Sequence, residues 1–297
     1  MSSPSVDIVT VNFNSTEYLP EYFKALDSLD YPKDDWRLVL VDNASTDGSL
    51  SRVAEWSRDV PLKIVPLNRN GGVTAGNNAG IREGNSKYVA LLNPDTRVHA
   101  DWLTILVDRM ELETDIGLAE AAQVPSELVK YRDPETGDTS WASTGGVVVR
   151  RSALDAVGEF DERFFMYYDD IDLCWRLWLA GWRCIYEPNA RYDHRPHDQR
   201  PPSPFMRYHV LRNEAYMRYI YGSHRLFAKR LWRGLKFAAR DRRSDLRSAS
   251  IRAVRDAIAS RQWLRQRRAA LPQKSCQWVG LFEEPYIPAN VSNISVR

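Results

Sequence analysis

The segment Leu38-Val39-Leu40-Val41-Asp42-Asn43-Ala44-Ser45-Thr46-Asp47-Gly48-Ser49 decides the fold, because a short apolar run ends in polar turn residues and a helical pattern follows at residues 50–56. The same succession recurs along the first 120 residues. The strand-like runs are 6–11, 38–41, 62–65 and 88–92, and the helical stretches are 18–29, 50–56, 75–81 and 102–112. This alternation predicts an α/β fold with a mostly parallel central sheet flanked by helices.

Polar loops follow the predicted strands at residues 12–14, 42–43, 68–72 and 93–95. In parallel sheets, ligands bind beyond the carboxyl ends of the strands, so these loops are the first place to look for a site. Asn and Asp are also ordinary turn residues, and a single loop of this kind says little. Four in succession at one edge of the sheet favour a binding site.

Two of these loops carry groups suited to a diphosphate. Gly71 and Gly72 directly precede a predicted helix, where backbone N–H groups and the positive helix end can approach phosphate, although such a pair also makes plain turns. Asp95 lies just past a buried strand and can bind a divalent cation that neutralises a nucleotide diphosphate. An Asx turn capping the helix near Asp101 is the alternative for Asp95.

The densest group of reactive side chains lies within residues 158–176, where Asp169, Asp170 and Asp172 open a predicted helix. Acidic residues in a first turn also suit the helix dipole. Adjacent carboxylates beside an aromatic wall, however, raise each other's pKa toward the value that a general base needs, so we favour catalysis here.

The same helix carries Trp175, Trp178 and Trp182 on one face, a spacing more typical of a packed core than of a ligand platform. A further strand is predicted at residues 183–186, and His194 follows it. His194 is expected to complete a mixed nitrogen and oxygen site for Mn²⁺ or Mg²⁺ only if the fold returns it beside Asp95.

Composition bounds the class of protein. The 297 residues include 43% hydrophobic residues, 15 Gly and 16 Pro, which excludes collagen, coiled-coil and disordered classes. The three cysteines have no CxxC spacing and indicate reduced, packed thiols. Neither a charged leader nor an apolar run long enough to span a membrane is evident, so we expect a cytoplasmic location.

The net charge of +2 hides a strong asymmetry. Residues 201–270 hold 18 Lys and Arg against four acidic residues, a local balance of +14, so the first 200 residues carry −12. Four prolines between residues 196 and 204 mark the junction. We therefore predict two units, a catalytic unit at residues 1–199 and a basic, mainly helical extension at residues 200–297.

The extension contains a predicted amphipathic helix with Phe227, Leu231, Leu235 and Ala238 at helical spacing among Arg and Lys residues. Such a helix suits an anionic membrane surface, which would place the protein peripherally on the cytoplasmic face. Packing as a bundle helix on the acidic body is the alternative. Nucleic-acid binding is not favoured, because no recognition module is present. The sequence leaves oligomer formation open.

Taken in order, residues 11–14, 41–49, 68–81, 92–95 and 160–176, followed by His194, resemble the inverting family-2 glycosyltransferases with a GT-A fold, and within them the bacterial rhamnosyltransferase branch. The resemblance spans about residues 5–195. It implies that Asp42 holds the nucleobase, Asn12 and Asn68 line the nucleotide pocket, and Asp170 is the catalytic base. It implies also that Asp95 and His194 bind Mg²⁺ or Mn²⁺.

The resemblance assigns further positions by region. The donor-binding candidates also include Asn14, Asn43, Gly72, Asn77 and Asn93, and the candidates for lining the active site or acceptor region are Asp169, Asp172, Trp175 and Arg176. Asn93 departs from the pattern, since many members have the first Asp of a DxD motif there. A single carboxylate leaves the affinity and identity of the metal open.

The function implied is transfer of a sugar, L-rhamnose from dTDP-rhamnose above others, to a hydroxyl of a glycan or a polyprenyl-linked glycan. Transfer of a hexose or N-acetylhexosamine from a UDP-sugar is the alternative within the class, and an inactive nucleotide-sugar-binding protein is the alternative outside it. A nucleotidyltransferase is disfavoured, because no Gly-rich loop with Lys or Arg follows the first strand.

Overall fold

The computed structural model describes residues 3–57, 60–125, 130–194 and 203–282. The amino-terminal half follows the predicted alternation. The elements run β1 (Val6–Asn12), α1 (Leu19–Asp27), β2 (Trp36–Asp42), α2 (Ser49–Trp56), β3 (Leu62–Pro66), α3 (Gly72–Glu83), β4 (Tyr88–Leu92), β5 (Thr96–Val98), α4 (Trp102–Leu112), β6 (Ile116–Val124) and β7 (Gly146–Arg150).

The remaining elements are largely helical. They are α5 (Arg151–Val157), α6 (Asp169–Ala180), β8 (Arg183–His194), α7 (Pro204–Met217), α8 (His224–Arg240), α9 (Ser244–Ala259) and α10 (Arg261–Ala269), with a π-helical turn at Arg218–Gly222. The start of α7 has a clear local cause, since Ser203 accepts a hydrogen bond from the Met206 amide and Pro204 occupies the first turn.

The strands in the described part of the chain form one eight-stranded sheet, in the order β3-β2-β1-β4-β7-β6-β8-β5. The β1, β2, β3 and β4 strands pair in parallel, as do β6 and β8, whereas β7 is antiparallel to both of its neighbours and β5 is antiparallel to β8. The predicted α/β fold with a flanked central sheet is confirmed. Strands β5, β6 and β7 were not predicted.

Alternating side chains of the strands build a separate core on each face of the sheet. Ile8, Leu38 and Leu40 pack with α1 and α4 on one face. Val9, Val39 and Val41 belong to the core on the other face, which also contains residues of α3, α5 and α6.

The helices after residue 203 share that second core. Tyr216, Met217 and Leu264 are buried in the same cluster as Phe164 and Leu173. The expected junction near residue 200 falls within 195–202, outside the described residues. No described helix is both long and apolar enough to cross a membrane.

Candidate active site

A cleft of about 800 Å³ opens at the carboxyl edge of β1, β2 and β4, beside the amino-terminal ends of α3 and α6. Seven of the residues selected from the sequence line it: Asn14, Asn43, Gly72, Asn93, Asp95, Asp169 and Asp170. These positions come from five different segments, the ends of β1, β2, β3 and β4 and the first turn of α6, so the fold gathers at one place side chains that are far apart in the chain.

Asn12 and Asp42 end neighbouring strands but do not line this cleft; both side chains are buried behind it. Asn12 Nδ2 donates to Asp42 Oδ1 at 2.7 Å and to Ser49 Oγ at 2.9 Å. The backbone N–H of Ser45 donates to the other carboxylate oxygen of Asp42 at 3.2 Å. That Asn12 lines the nucleotide pocket and that Asp42 holds the nucleobase both stay predictions. In this structure the Asn12 amide holds Asp42 and the loop beyond it.

A chain of amide contacts fixes the loops at this end of the cleft. Asn14, in the left-handed region at φ 52°, accepts from the Thr46 amide at 2.8 Å. Asn43 Nδ2 donates to Asn70 Oδ1 at 3.0 Å and to the Gly72 carbonyl at 3.1 Å. The loops after β1, β2 and β3 are therefore tied to one another before any ligand arrives.

Gly72 cannot be replaced without disturbing the opposite wall. Its φ is +82°, and a Cβ atom there would lie 2.3 Å from the Phe165 carbonyl oxygen.

Two other predicted donor residues lie elsewhere: Asn68 lines a neighbouring cavity of about 550 Å³, and Asn77 is buried within α3. The roles predicted for Asn68 and Asn77 in donor binding stay predictions.

Asp95 and His194 meet although 99 residues separate them, because β5 pairs with the end of β8 and sets Thr96 opposite His194. His194 Nε2 lies 3.2 Å from Asp95 Oδ2. Among the described residues, no group of three or more His, Cys, Asp or Glu side chains is arranged to hold a metal ion. One carboxylate and one imidazole still fit Mg²⁺ or Mn²⁺, which commonly take their remaining ligands from water and substrate phosphates.

The other wall of the cleft carries the adjacent carboxyls of Asp169 and Asp170 in the first turn of α6, both nearly inaccessible to solvent. Burial raises the pKa of Asp169 to about 7, and the Asp172 carboxylate adds to the rise. Burial raises the pKa of Asp170 well above its usual range, and the charge of Asp169 raises it further. Groups of this kind can accept a proton near neutral pH.

The segment before this pair has an unusual backbone. Phe165, Tyr167 and Tyr168 have φ values of 65°, 69° and 67°, in the left-handed region that residues with a Cβ rarely adopt. Residues held there are kept in place by their surroundings. We call residues 160–168 the left-handed loop, and it ends where the carboxyl pair begins.

Asp172, Trp175 and Arg176 are not among the residues that line the cleft, and their predicted place in the active-site or acceptor region stays a prediction. Asp172 accepts hydrogen bonds from Arg176 at 2.9 Å and from Tyr221 at 2.8 Å. Arg176 also donates to three carbonyls at residues 157–159. Trp175 packs edge-on against Tyr221 at 4.9 Å between ring centroids. This face of α6 meets the carboxyl-terminal helices instead of the substrate space.

Several residues that line the cleft were not predicted from the sequence. Phe13 and Phe205 line the cleft with 44% and 46% of their surfaces exposed, and Ser143 and Thr144 form part of its floor. Ser143 is held by Glu120, which accepts from its amide at 2.9 Å. An aromatic residue directly after β1 was a usable signal for Phe13, whereas nothing local in the sequence marks the other positions.

Comparison with known proteins bears directly on this arrangement. Residues 7–172 match the family described as Glycosyl transferase family 2, which is more than half of the chain. The chain belongs to glycosyl transferase family 2. The predicted family and its GT-A fold are thereby confirmed, and the matched range contains the cleft residues from Asn14 to Asp170.

Relatives of this family-2 chain vary in substrate. An N-acetylglucosaminyl-diphospho-decaprenol L-rhamnosyltransferase of Mycobacterium tuberculosis is 47% identical over 62 residues, covering 21% of this chain and 20% of the relative. A pre-mycofactocin glycosyltransferase of the same species is 31% identical over 154 residues, covering 45% of this chain and 33% of the relative. The alignments thus span a fifth to a third of these relatives.

Among solved structures, the mannosyltransferase PcManGT from Pyrobaculum calidifontis, in complex with GDP-Man and Mn²⁺, superposes with a TM-score of 0.61. The superposition covers 91% of this family-2 chain and 84% of PcManGT, at 17% sequence identity. This likeness shows the shared fold.

Proposed function

We propose that this family-2 chain is an inverting glycosyltransferase that transfers one sugar from a nucleoside diphosphate donor to a hydroxyl of a glycan or lipid-linked glycan. One observation carries the proposal: the Asp169–Asp170 pair and Asp95, itself beside His194, line the same cleft. The proposed base for the acceptor hydroxyl and the proposed site for the donor diphosphate therefore lie in the same cleft.

Asp170 is the proposed base. Its carboxylate takes the proton of the acceptor hydroxyl while that oxygen attacks the anomeric carbon from the face opposite the nucleotide. The new carbon–oxygen bond forms as the bond to the diphosphate oxygen breaks, so the configuration inverts. The buried surroundings that raise the pKa of Asp170 give it the basicity for this step.

The donor end is proposed to lie at the loops after β1, β2 and β3. Asn14, Asn43 and Gly72 line that end, and Asn12 donates to Asp42 at the neighbouring ends of β1 and β2. Asp95 and His194 would hold Mg²⁺ or Mn²⁺. When bound, such an ion neutralises charge that develops on the leaving diphosphate.

We propose L-rhamnose from dTDP-rhamnose as the donor sugar, supported by the short match to a rhamnosyltransferase. Release of dTDP or UDP is the direct readout in a panel of nucleotide-sugars offered with glycan and polyprenyl-linked acceptors. We expect dTDP-rhamnose to give the highest kcat/KM. A UDP-hexose or UDP-N-acetylhexosamine in first place would favour the rival donor class, and transfer from no donor would contradict the proposed activity.

The outer surface of α8 supports a membrane-associated acceptor. The inward positions Phe227 and Ala238 are buried, as the bundle alternative requires, whereas Trp232 and Leu235 remain 55% and 49% exposed. The exposed positions of α8 also include Lys229, Arg233, Lys236 and Arg240. We propose that this outer surface lies on the anionic leaflet that holds a polyprenyl-linked acceptor.

Binding to vesicles tests the membrane proposal. Each basic residue near an anionic surface contributes about 1 kcal/mol, so a variant with Lys229→Gln, Arg233→Gln and Lys236→Gln should bind anionic vesicles roughly 100-fold more weakly at low salt. A control with Lys24→Gln, Lys33→Gln and Lys63→Gln removes the same charge from the body and should bind like wild type. Equal weakening in both variants, or no sedimentation of the wild type with anionic vesicles, would contradict the proposal.

A further inference from the structure

Asn213, on the carboxyl-terminal helix α7, is completely buried and directs its side-chain amide at the left-handed loop. Its Nδ2 atom donates to the carbonyl oxygens of Phe164 at 2.9 Å, Met166 at 2.8 Å and Tyr167 at 2.8 Å. An amide nitrogen has two N–H groups, so three acceptors use its full donating capacity. These carbonyls turn toward one point because the loop contains left-handed residues.

The preceding residue of α7 acts on the same loop. Arg212 Nη2 donates to the carbonyl oxygens of Arg163 and Phe164, each at 2.9 Å. Arg212 and Asn213 therefore donate to four carbonyl oxygens, those of residues 163, 164, 166 and 167. This segment leads directly to the carboxyl pair.

The body of the protein holds the other side of the loop. The Phe165 carbonyl oxygen accepts from the Thr74 amide at 3.4 Å, next to the close approach of Gly72. Phe165 also stacks on His209 of α7, with ring centroids 5.0 Å apart. The loop is thus clamped between α3, which borders the donor end, and α7.

We infer that Asn213 is a positioning residue, whose amide holds the left-handed loop in the conformation that turns Asp169 and Asp170 into the cleft. This inference rests on the proposed glycosyl transfer. The carboxyl-terminal helices thereby help to position the base, in addition to any surface that they present to an acceptor. A left-handed run of bulky residues persists only where contacts of this kind enforce it.

The test compares three variants of the full chain. Asn213→Leu removes the donor at similar volume, and Arg212→Gln, at a half-buried position, removes the neighbouring contacts with less risk to folding. The matched control is Tyr216→Phe, on the same helix as Arg212 and Asn213, which deletes the 2.8 Å hydrogen bond to Ser260 but keeps the ring that packs on Phe164. Transfer kinetics and hydrogen exchange of residues 160–172 are measured for each variant.

Misplacing a reacting group by about 1 Å costs on the order of 100-fold in rate, so we expect kcat of Asn213→Leu to fall about 100-fold and that of Arg212→Gln about tenfold. The donor KM should stay within about threefold of wild type, because the donor loops are tied elsewhere. Hydrogen exchange in residues 160–172 should quicken in both variants. Tyr216→Phe should keep wild-type kcat and exchange.

Two results would overturn the inference: wild-type kcat in a folded Asn213→Leu or Arg212→Gln variant, or a fall in kcat with unchanged exchange in the loop. If Asn213→Leu does not fold, Arg212→Gln decides by the same criteria. Absence of transfer by the wild type would contradict the proposed function instead, and hydrogen exchange would then decide whether Asn213 holds the loop.

Discussion

An Asp170→Asn variant should bind the nucleotide-sugar donor normally and transfer sugar about 10²- to 10⁴-fold more slowly than the wild type. The amide keeps the shape of the carboxyl group but cannot take the proton of the acceptor hydroxyl. Steady-state transfer rates and a separate donor-binding measurement check the two halves of this expectation. Near-normal turnover by a folded variant would remove Asp170 from the mechanism.

The pH profile provides a second signature of the same base. Only the deprotonated carboxylate can accept a proton, so kcat should rise as pH increases through the raised pKa of the carboxyl pair. An Asp169→Asn variant removes the neighbouring negative charge, which lowers the pKa of Asp170 and should move the acidic limb of the profile to lower pH. An unmoved limb would contradict the coupling between the two carboxyls.

A control for these variants lies two residues further along α6. Asp172 is buried and bonded to Arg176 and Arg267, away from the cleft. Asp172→Asn weakens that ion-paired cluster, so the unfolding temperature should fall while most of the transfer rate remains. If Asp172→Asn lost as much of the transfer rate as Asp170→Asn, the loss in Asp170→Asn could be assigned to a weakened structure of this turn instead of to the missing base.

Removal of divalent ions should abolish transfer, and Mn²⁺ or Mg²⁺ should restore it. We expect Asp95→Ala and His194→Ala each to lose roughly 10²- to 10³-fold in kcat at fixed metal, because the leaving diphosphate loses its charge stabilisation. Transfer assays in excess EDTA, followed by titration with each ion, measure both effects. Full activity in EDTA would refute the metal assignment.

The same strand pair supplies a matched control. His99 Nε2 lies 3.5 Å from Asp193 Oδ1, a histidine and aspartate pair of the same type, and neither residue lines the cleft. Neighbouring residues of a strand point to opposite faces, which separates Asp193 from His194. His99→Ala should therefore leave metal-dependent transfer intact, and an equal loss in this variant would point to a general disturbance of the β5–β8 edge.

Sequence patterns predicted the parallel half of the sheet well because its strands alternate with helices and end in polar loops. The runs at 6–11 and 38–41 correspond to β1 and β2, and the predicted strand 88–92 coincides with β4. Strand β5 has only three residues and is held by antiparallel pairing with β8, so no local pattern in the sequence could predict it. Its pairing is also what brings Asp95 to His194.

Tertiary packing explains why some of the candidate site residues lie away from the cleft. Asp169, Asp170 and Asp172 all lie in the first turn of α6, but only Asp169 and Asp170 line the cleft, whereas Asp172 contacts Tyr221 and Arg267. Helical periodicity cannot tell which face a distant helix will cover. Phe205 likewise reaches the cleft only because α7 returns to the body.

The shared core of body and carboxyl-terminal helices limits how such chains can diverge. Phe164 of the body packs edge-on against Tyr216 and Trp263 of the later helices. A gene fusion that exchanged the last third of the chain would have to inherit this apolar surface together with the donors at Arg212 and Asn213. Substitutions on the outer faces of those helices would leave these contacts intact, whereas recombination at the proline-rich junction would break them.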